Sequence, residues 1–334
     1  MIYKFEYIWL DGDKPSNIRS KTKILTFDNF YNNIEKLPNW NFDGSSTKQA
    51  ESNNSEIILK PVRLYKESKN SYLVLCECFD INNNAIVSNT RSLIKNEIDF
   101  WWGFEQEYVL LNEYKRPLGF PKTIEPKSQG DYYCGVGYQN IRGREIAEEH
   151  LNKCLEIGLG ITGINAEVMI GQWEFQCFGK GIKAADDLII ARYLLHRIAE
   201  KYKVTCELHP KPIKGEWNGS GLHTNISWNY LREIGGKKYL EFIFKYFKKY
   251  QKEHMEVYGC FNNERLTGNH ETSLYNKFSY GEGDRTASIR IPNITLQNNY
   301  KGYIEDRRPS SNADPYEIIY IIMKTVNEAN KYIK

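Results

Sequence analysis

Six short stretches of this chain alternate in a way that leaves few folds open to it. In Phe104-Glu105-Gln106-Glu107-Tyr108-Val109, Glu105 and Glu107 share one side. Asn165-Ala166-Glu167-Val168-Met169 and Gln172-Trp173-Glu174-Phe175-Gln176 read as two strands joined by a turn at Gly171. Gly221 to Ser227 aligns His223, Asn225 and Ser227, Ala287 to Ile291 aligns Ser288 and Arg290, and Tyr303 to Arg307 aligns Tyr303, Glu305 and Arg307. In a strand, residues i and i+2 point the same way, so each stretch has one polar and one largely apolar or aromatic face. Strands that merely meet water mix Lys, Thr and Glu, often at sheet edges. Here Glu, His, Asn and Arg prevail. One curved antiparallel sheet built from these strands would line a polar cavity.

Such a cavity has an electrostatic problem. Two carboxylates about 5 Å apart repel by about 3 kcal/mol at an effective dielectric near 20. If Glu105, Glu107, Glu167, Glu174 and Glu305 converge, either their pKa values rise or cations sit among them. Arg265, Arg285, Arg290 and Arg307 supply part of the compensation, divalent ions the rest, with His223 as a nitrogen ligand. Oxygen-rich ligands with one imidazole favour Mg²⁺ or Mn²⁺ over zinc. Acids and arginines around paired hard metals point to phosphoryl transfer. A Walker motif is missing, which excludes a P-loop site.

The rest of the pattern is α+β. Tyr3–Leu10, Lys23–Phe27, Glu56–Leu64 and Tyr72–Phe79 read as β-segments, with a turn-rich piece from Trp40 to Ser46, and a domain boundary falls near Asn82–Ser88. Beyond it, helices are expected over Arg144–Ile157, Ala184–Tyr202, Lys237–Tyr258 and Pro315–Ile333. Asp314 before Pro315 is an N-cap followed by proline at the first helical position. His196, inside the second helix, reads as a packed or surface histidine.

Composition narrows the function classes. The chain has 334 residues and a net charge of +3, too small a field to recruit nucleic acid or an anionic membrane. Its start lacks an apolar signal segment, no stretch is apolar enough to span a bilayer, and the seven cysteines are scattered without Cys-x-x-Cys. The expected location is cytoplasmic.

The ordered blocks Tyr7 to Gly12, Trp40 to Ser46, Glu105 to Tyr108, Tyr132 to Gly137, Asn165 to Met169, Gln172 to Gln176, Trp217 to Asn225, Arg265 to Gly268, His270 to Ser273, Ala287 to Pro292 and Gly302 to Pro309 resemble glutamine synthetase of the short type II form. The resemblance runs from about Tyr7 to about Pro315. It implies a small N-terminal β-grasp-like domain (residues 1–87) and a larger catalytic domain (88–334) with a curved antiparallel sheet flanked by helices. It implies ATP-driven ligation of ammonia to the side-chain carboxylate of L-glutamate through an acyl phosphate. One metal would take Glu107, Glu167 and Glu174, the other Glu105, His223 and Glu305. Trp217, Asn218 and Gly219 would form the glutamate loop, with Arg265 and Arg307 on the carboxylates. Trp101, Glu174, Asn225, Ser227 and Tyr303 would serve the nucleotide, and Arg285 and Arg290 the transferred phosphate. Glu271 would close the site as a flap and take a proton from ammonium, with Asp43 assisting from a neighbouring subunit of a double-ring decamer.

Several readings compete with single assignments. Asp43 also fits as the cap of its own Asp-Gly turn, Trp101 as core or interface, and Arg265 as a flap salt bridge. The chain departs from the family pattern at Cys177 to Lys180, in the short segment Tyr258 to Asn263, and at Asn269. A γ-glutamyl ligase using another amine, and a homologue without catalysis, are the two alternatives to ammonia ligation.

Overall fold

A computed structural model of the chain describes residues 1–95, 99–121, 126–270 and 272–333. The chain divides into two compact units, Met1–Lys95 with Leu155–Leu159, and Asn96–Cys154 with Gly160–Lys334.

Period-two patterning builds the first unit. Its strands are β1 (Ile2–Leu10), β2 (Ile18–Thr26), β3 (Trp40–Asp43), β4 (Glu56–Ser68) and β5 (Ser71–Phe79). They form one sheet in the order β2-β1-β5-β4-β3, with β1 and β5 parallel at its centre. Tyr3, Phe5, Tyr7 and Trp9 alternate along β1 and are all buried, joining Phe30, Leu59, Tyr72 and Val74 in one core. Phe5 stacks on Tyr72 with ring centroids 5.4 Å apart. Each such buried ring contributes about 1.5–3 kcal/mol. Trp40–Asp43, expected as part of a turn, is an edge strand paired with Glu56–Leu59. Its alternation explains why: Phe42 packs on Trp9 at 4.6 Å, and Lys21 lies 3.5 Å from the Trp40 ring centroid. The turn follows at Gly44–Thr47.

From residue 99 onward, strands and helices alternate. β6 (Trp101–Leu111), α1 (Arg144–Glu156), β7 (Ile161–Ala166), β8 (Gln172–Lys180), α2 (Lys183–Lys201), β9 (Thr205–Glu207), β10 (Leu222–Ser227), α3 (Asn229–Glu233), α4 (Lys237–Lys249) and α5 (Gln251–Val257) come first. β11 (Tyr280–Glu282), β12 (Ile289–Ile291), α6 (Asn293–Gln297), β13 (Ile304–Asp306) and α7 (Pro315–Asn330) complete the series. The strands form a sheet in the order β11-β12-β13-β10-β6-β8-β7, with β9 also on β6. All neighbours are antiparallel except β11 and β12. The fold class is α+β.

One face of this sheet is packed by α2, and polar residues pin it there. Arg192 of α2 donates to Gln106 Oε1 (2.7 Å) and to the carbonyls of Ser311 and Ala313. The residues on the same face as Gln106, among them Trp102, Phe104, Tyr108, Trp173 and Phe175, are fully buried. α7 starts where expected, Asp314 accepting from the Tyr316 amide at 2.8 Å. The helix expected over Lys237–Tyr258 breaks at Tyr250, whose hydroxyl bonds Glu328 of α7. The break lets α4 pack on α7 while α5 carries His254 toward the buried Arg308–Asp306 pair. Among the described residues no helix is long and apolar enough to cross a membrane.

Candidate active site

Residues directly opposite in an antiparallel pair share a face, with Cβ atoms about 4.5–5.5 Å apart. That rule converts strand register into a site. His223 of β10 lies opposite Glu105 of β6, and Glu107 lies opposite Glu174 of β8. Asn225 lies opposite Glu305 of β13, which lies opposite Arg290 of β12. All of these side chains therefore leave the sheet on the side away from α2. Glu167 reaches the same place from outside a strand. β7 ends at Ala166, and the Glu167 amide donates to the Gln172 carbonyl (3.0 Å) while its carboxylate accepts from Val168 N (3.2 Å) and Asn165 Nδ2 (3.0 Å).

The result is a polar cleft of about 300 Å³ lined by Glu105, Glu107, Glu167, Glu174, Glu305 and His223. Arg265, Arg285, Arg290 and Arg307 line it too, with Asn218 and Gly219 at one end. Glu305 takes Arg307 at 2.5 Å and Arg290 at 3.2 Å. Opposite it, burial is the largest influence on Glu107, Glu167 and Glu174 and raises all three above the usual carboxylate range. Glu105, Glu107 and Glu167 add to the rise at Glu174. Burial and Arg307 hold His223 well below its usual value, so its imidazole is neutral, the form that ligates metals. His223 Nδ1 faces Glu105 (3.4 Å) and Glu305 (3.7 Å), and Arg265 donates to Nε2 (3.0 Å).

A second cavity of about 480 Å³ adjoins the first, and Glu105 lines both. Its walls include Trp101, Phe178, Asn225, Ser227 and Tyr303. Asn225 donates to Glu105 Oε1 at 2.7 Å, so the junction of the cavities is itself hydrogen-bonded. Arg232 of α3, which the alternation of the strands could not reveal, sits 4.1 Å from the Trp101 ring centroid and also lines this cavity. Tyr133, His270 and Thr272 in the polar cleft were likewise missed. All three fall inside longer blocks of the sequence that carry no role for them individually.

Trp217 is buried against Phe120 (5.1 Å) and Tyr132 (6.3 Å) and lines neither cavity, so it props the loop that presents Asn218 and Gly219. At Gly219 a Cβ would fall 2.3 Å from the Pro210 carbonyl, which requires glycine there. Asp43 is exposed in the first unit and accepts from Ser45 N, Ser45 Oγ and Ser46 Oγ as the cap of its turn. The serine hydroxyls hold it down to about 2. Glu271 lies outside the described residues. Arg265, at 6% exposure, is occupied by His223 and by the carbonyls of Arg307, Arg308 and Pro309.

The donor set suits a hard divalent ion. Glu105, Glu174 and His223 each offer a ligand atom, all within 4.8 Å of one another. Carboxylates with raised proton affinity and a neutral imidazole are the groups such an ion stabilises. Fold and site together define a protein with a carboxylate-rich cleft, of a composition that suits a divalent ion, beside an apolar slot.

A family model described as glutamine synthetase, catalytic domain, matches residues 85–326. The chain belongs to the glutamine synthetase family, whose members are glutamate–ammonia ligases. It is 50% identical over 333 residues to a glutamine synthetase of Bradyrhizobium diazoefficiens, covering 97% of this chain and 96% of the relative. The corresponding enzyme of Schizosaccharomyces pombe is 47% identical, covering 97% of this chain and 91% of the relative. A solved Plasmodium falciparum glutamine synthetase shares the fold with TM-score 0.77 at 18% identity, across 99% of this chain and 73% of that one.

Proposed function

We propose that this glutamate–ammonia ligase works through the cleft between β6, β8, β10 and β13, with ATP in the adjoining cavity and Mg²⁺ or Mn²⁺ as its ions. The observation that carries this reading is the convergence of five carboxylates and a neutral histidine beside an apolar slot, the two cavities meeting at Glu105. Glu107, Glu167 and Glu174 would hold one ion and Glu105, His223 and Glu305 the other. Bound ions neutralise phosphate charge and draw the reacting groups together. The grouping of Glu105, Glu174 and His223 within 4.8 Å supports a cation site in this part of the cleft.

The chain's own residues do the rest. Trp101, Asn225, Ser227 and Tyr303 bind and orient the nucleotide, with Glu174 at its phosphates. Arg285 and Arg290 steady the phosphoryl group as it passes to the glutamate side chain. Arg307 takes a glutamate carboxylate, while Arg265, already engaged with His223, holds the imidazole in place. Asn218 and Gly219 meet the remaining end of glutamate over the Trp217 prop. Glu271 closes the site and accepts a proton from ammonium, and closure keeps water from the acyl phosphate. Asp43 serves the ammonium of a neighbouring subunit in a double-ring homodecamer. The first unit acts as the N-terminal domain and the second as the catalytic domain, and the protein works in the cytoplasm.

The test is phosphate release measured with ATP, glutamate and ammonium, each omitted in turn, under Mg²⁺ and under Mn²⁺. Release that needs all three supports the reading. Turnover with ethylamine or a polyamine and none with ammonium would sink it, as would a protein that releases no phosphate at all.

A further inference from the structure

Gln172, the first residue of β8, is 1% exposed and lines neither cavity. Its position is nonetheless singular. Its side-chain amide points at the Glu107 carboxylate (Oε2, 3.3 Å), the Gly219 carbonyl (3.0 Å) and the Ser220 hydroxyl (3.1 Å). Its backbone carbonyl accepts from the Glu167 amide (3.0 Å). Two residues along the same strand stands Glu174. One residue thus touches two members of the Glu107–Glu167–Glu174 set, lies on the strand of the third, and reaches the loop that carries Asn218 and Gly219. Among the described residues its Oε1 is buried without a partner. An amide is retained there at the cost of an unsatisfied acceptor, which its donor contacts must offset.

We infer that Gln172 is a positioning residue that couples cation binding to glutamate binding. This rests on the reading that those three carboxylates hold a divalent ion and that Asn218 and Gly219 meet glutamate. The amide has two N–H groups for three acceptors. When a cation draws the Glu107 carboxylate toward itself, the amide follows or yields, and its hold on Gly219 and Ser220 changes with it. Coupling of this kind is reciprocal: if the cation tightens glutamate, glutamate tightens the cation by the same factor. The Gly221 amide also donates to Glu107 Oε2, at 2.9 Å. It fixes the carboxylate to the start of β10, two residues past Gly219, and offers a rival route that the experiment separates.

Gln172→Met keeps length and volume while removing both donors. Mn²⁺ is titrated calorimetrically into metal-free protein, with and without saturating glutamate, for the wild type, Gln172→Met and Ser220→Ala. In the wild type glutamate tightens Mn²⁺. In Gln172→Met, Mn²⁺ binds about ten-fold more weakly, the cost typical of removing a group that orients a ligand, and the glutamate effect disappears. KM for glutamate rises while KM for ATP stays within about two-fold, a split that a general loss of structure does not produce. Ser220→Ala, which leaves the other two contacts, keeps the coupling.

A folded Gln172→Met with wild-type Mn²⁺ affinity and full coupling overturns the role of Gln172 alone and assigns the link to the Gly221 amide. A wild type that binds no Mn²⁺ overturns the site reading beneath it. If Gln172→Met does not fold, hydrogen exchange on the wild type decides. Mn²⁺ alone must slow exchange of the segment spanning residues 217–222, and unchanged exchange there overturns the coupling.

Discussion

Replacing Glu305 by alanine removes a carboxylate that is 3% exposed and faces two guanidiniums and an imidazole. Two consequences follow, and they are separately measurable. Taking away one partner of a buried ion pair leaves the other uncompensated, at about 3–5 kcal/mol. Arg307 carries most of this, because the Arg290 side chain, 35% exposed, is partly screened by water. The cleft also becomes less negative. A unit charge about 4 Å from a divalent cation is worth on the order of 8 kcal/mol at an effective dielectric near 20. If only a quarter of that survives relaxation, the loss of about 2 kcal/mol weakens divalent binding on the order of 30-fold. Calorimetric titration of Mn²⁺ into the metal-free variant reads the affinity, and phosphate release reads the reaction, which should fall to background. Glu305→Gln separates charge from shape: it keeps the hydrogen-bonding outline and should lose cation affinity nearly as far. Mn²⁺ affinity within two-fold of wild type, with near-normal phosphate release, would refute the assignment of Glu305 as a ligand.

Other perturbations probe the neighbouring parts. The raised pKa values of Glu107, Glu167 and Glu174 mean that the metal-free folded protein holds protons the unfolded chain has released. Stability from these groups is present below the unfolded value near 4.5 and is lost as pH rises through the neutral range. Metal-free protein should therefore melt lower at pH 8 than at pH 6, with Mg²⁺ removing the difference and proton release accompanying its binding; calorimetry in two buffers of different ionisation enthalpy showing no buffer dependence would contradict this. Burial lowers His150 from 6.5 to about 4, so its contribution has the opposite sign, being lost as pH falls from about 6.5 toward 4. Trp101→Ala should raise KM for ATP about ten-fold and leave KM for glutamate unchanged, and the reverse pattern would move the nucleotide elsewhere. If Asp43 acts across a subunit boundary, mixing inactive Asp43→Ala and Glu305→Ala chains should regenerate activity in co-assembled oligomers; mixtures no better than their components would show that Asp43 works otherwise.

The strands were legible because burial on one face imposes a period of two, and that signal is local. Tyr3, Phe5, Tyr7 and Trp9 announce β1 without help from any partner. Pairing is not local, and so the sequence could bring Glu105, His223 and Glu305 together only through a supposition. The register that sets His223 opposite Glu105 depends on residues more than a hundred positions apart. Glu167 was assigned to a strand on its alternation with Asn165, yet it stands one residue past the end of β7, where hydrogen bonds to Val168 and Asn165 take over from the ladder. Arg232 carried no signal, because α3 is five residues long, too short for periodicity, and its place over Trp101 is set by the chain's exit from β10. Trp217 reads as a binding residue in its block, and its burial against Phe120 and Tyr132 depends on contacts distant in sequence that no local pattern shows.

The back-to-back character of β6 has a bearing on how this sheet assembles. Glu105 and Glu107 enter the cleft while Gln106 between them is tied to α2. A slip of one residue against β10 would face Glu105 with Leu222 or Thr224 and send charge into the packed side. Mis-registered sheets are therefore penalised on both faces at once. The correct register carries its own obstacle, since it closes five carboxylates on one another. Its pairs also span the chain from residue 101 to residue 306, the kind of distant contact that folds slowly. A divalent ion removes the obstacle only for the correct register, because no other brings the ligands within reach. If the cleft holds a divalent ion, its supply would favour the correct register during folding, and a metal-dependent refolding rate is the expected sign of this.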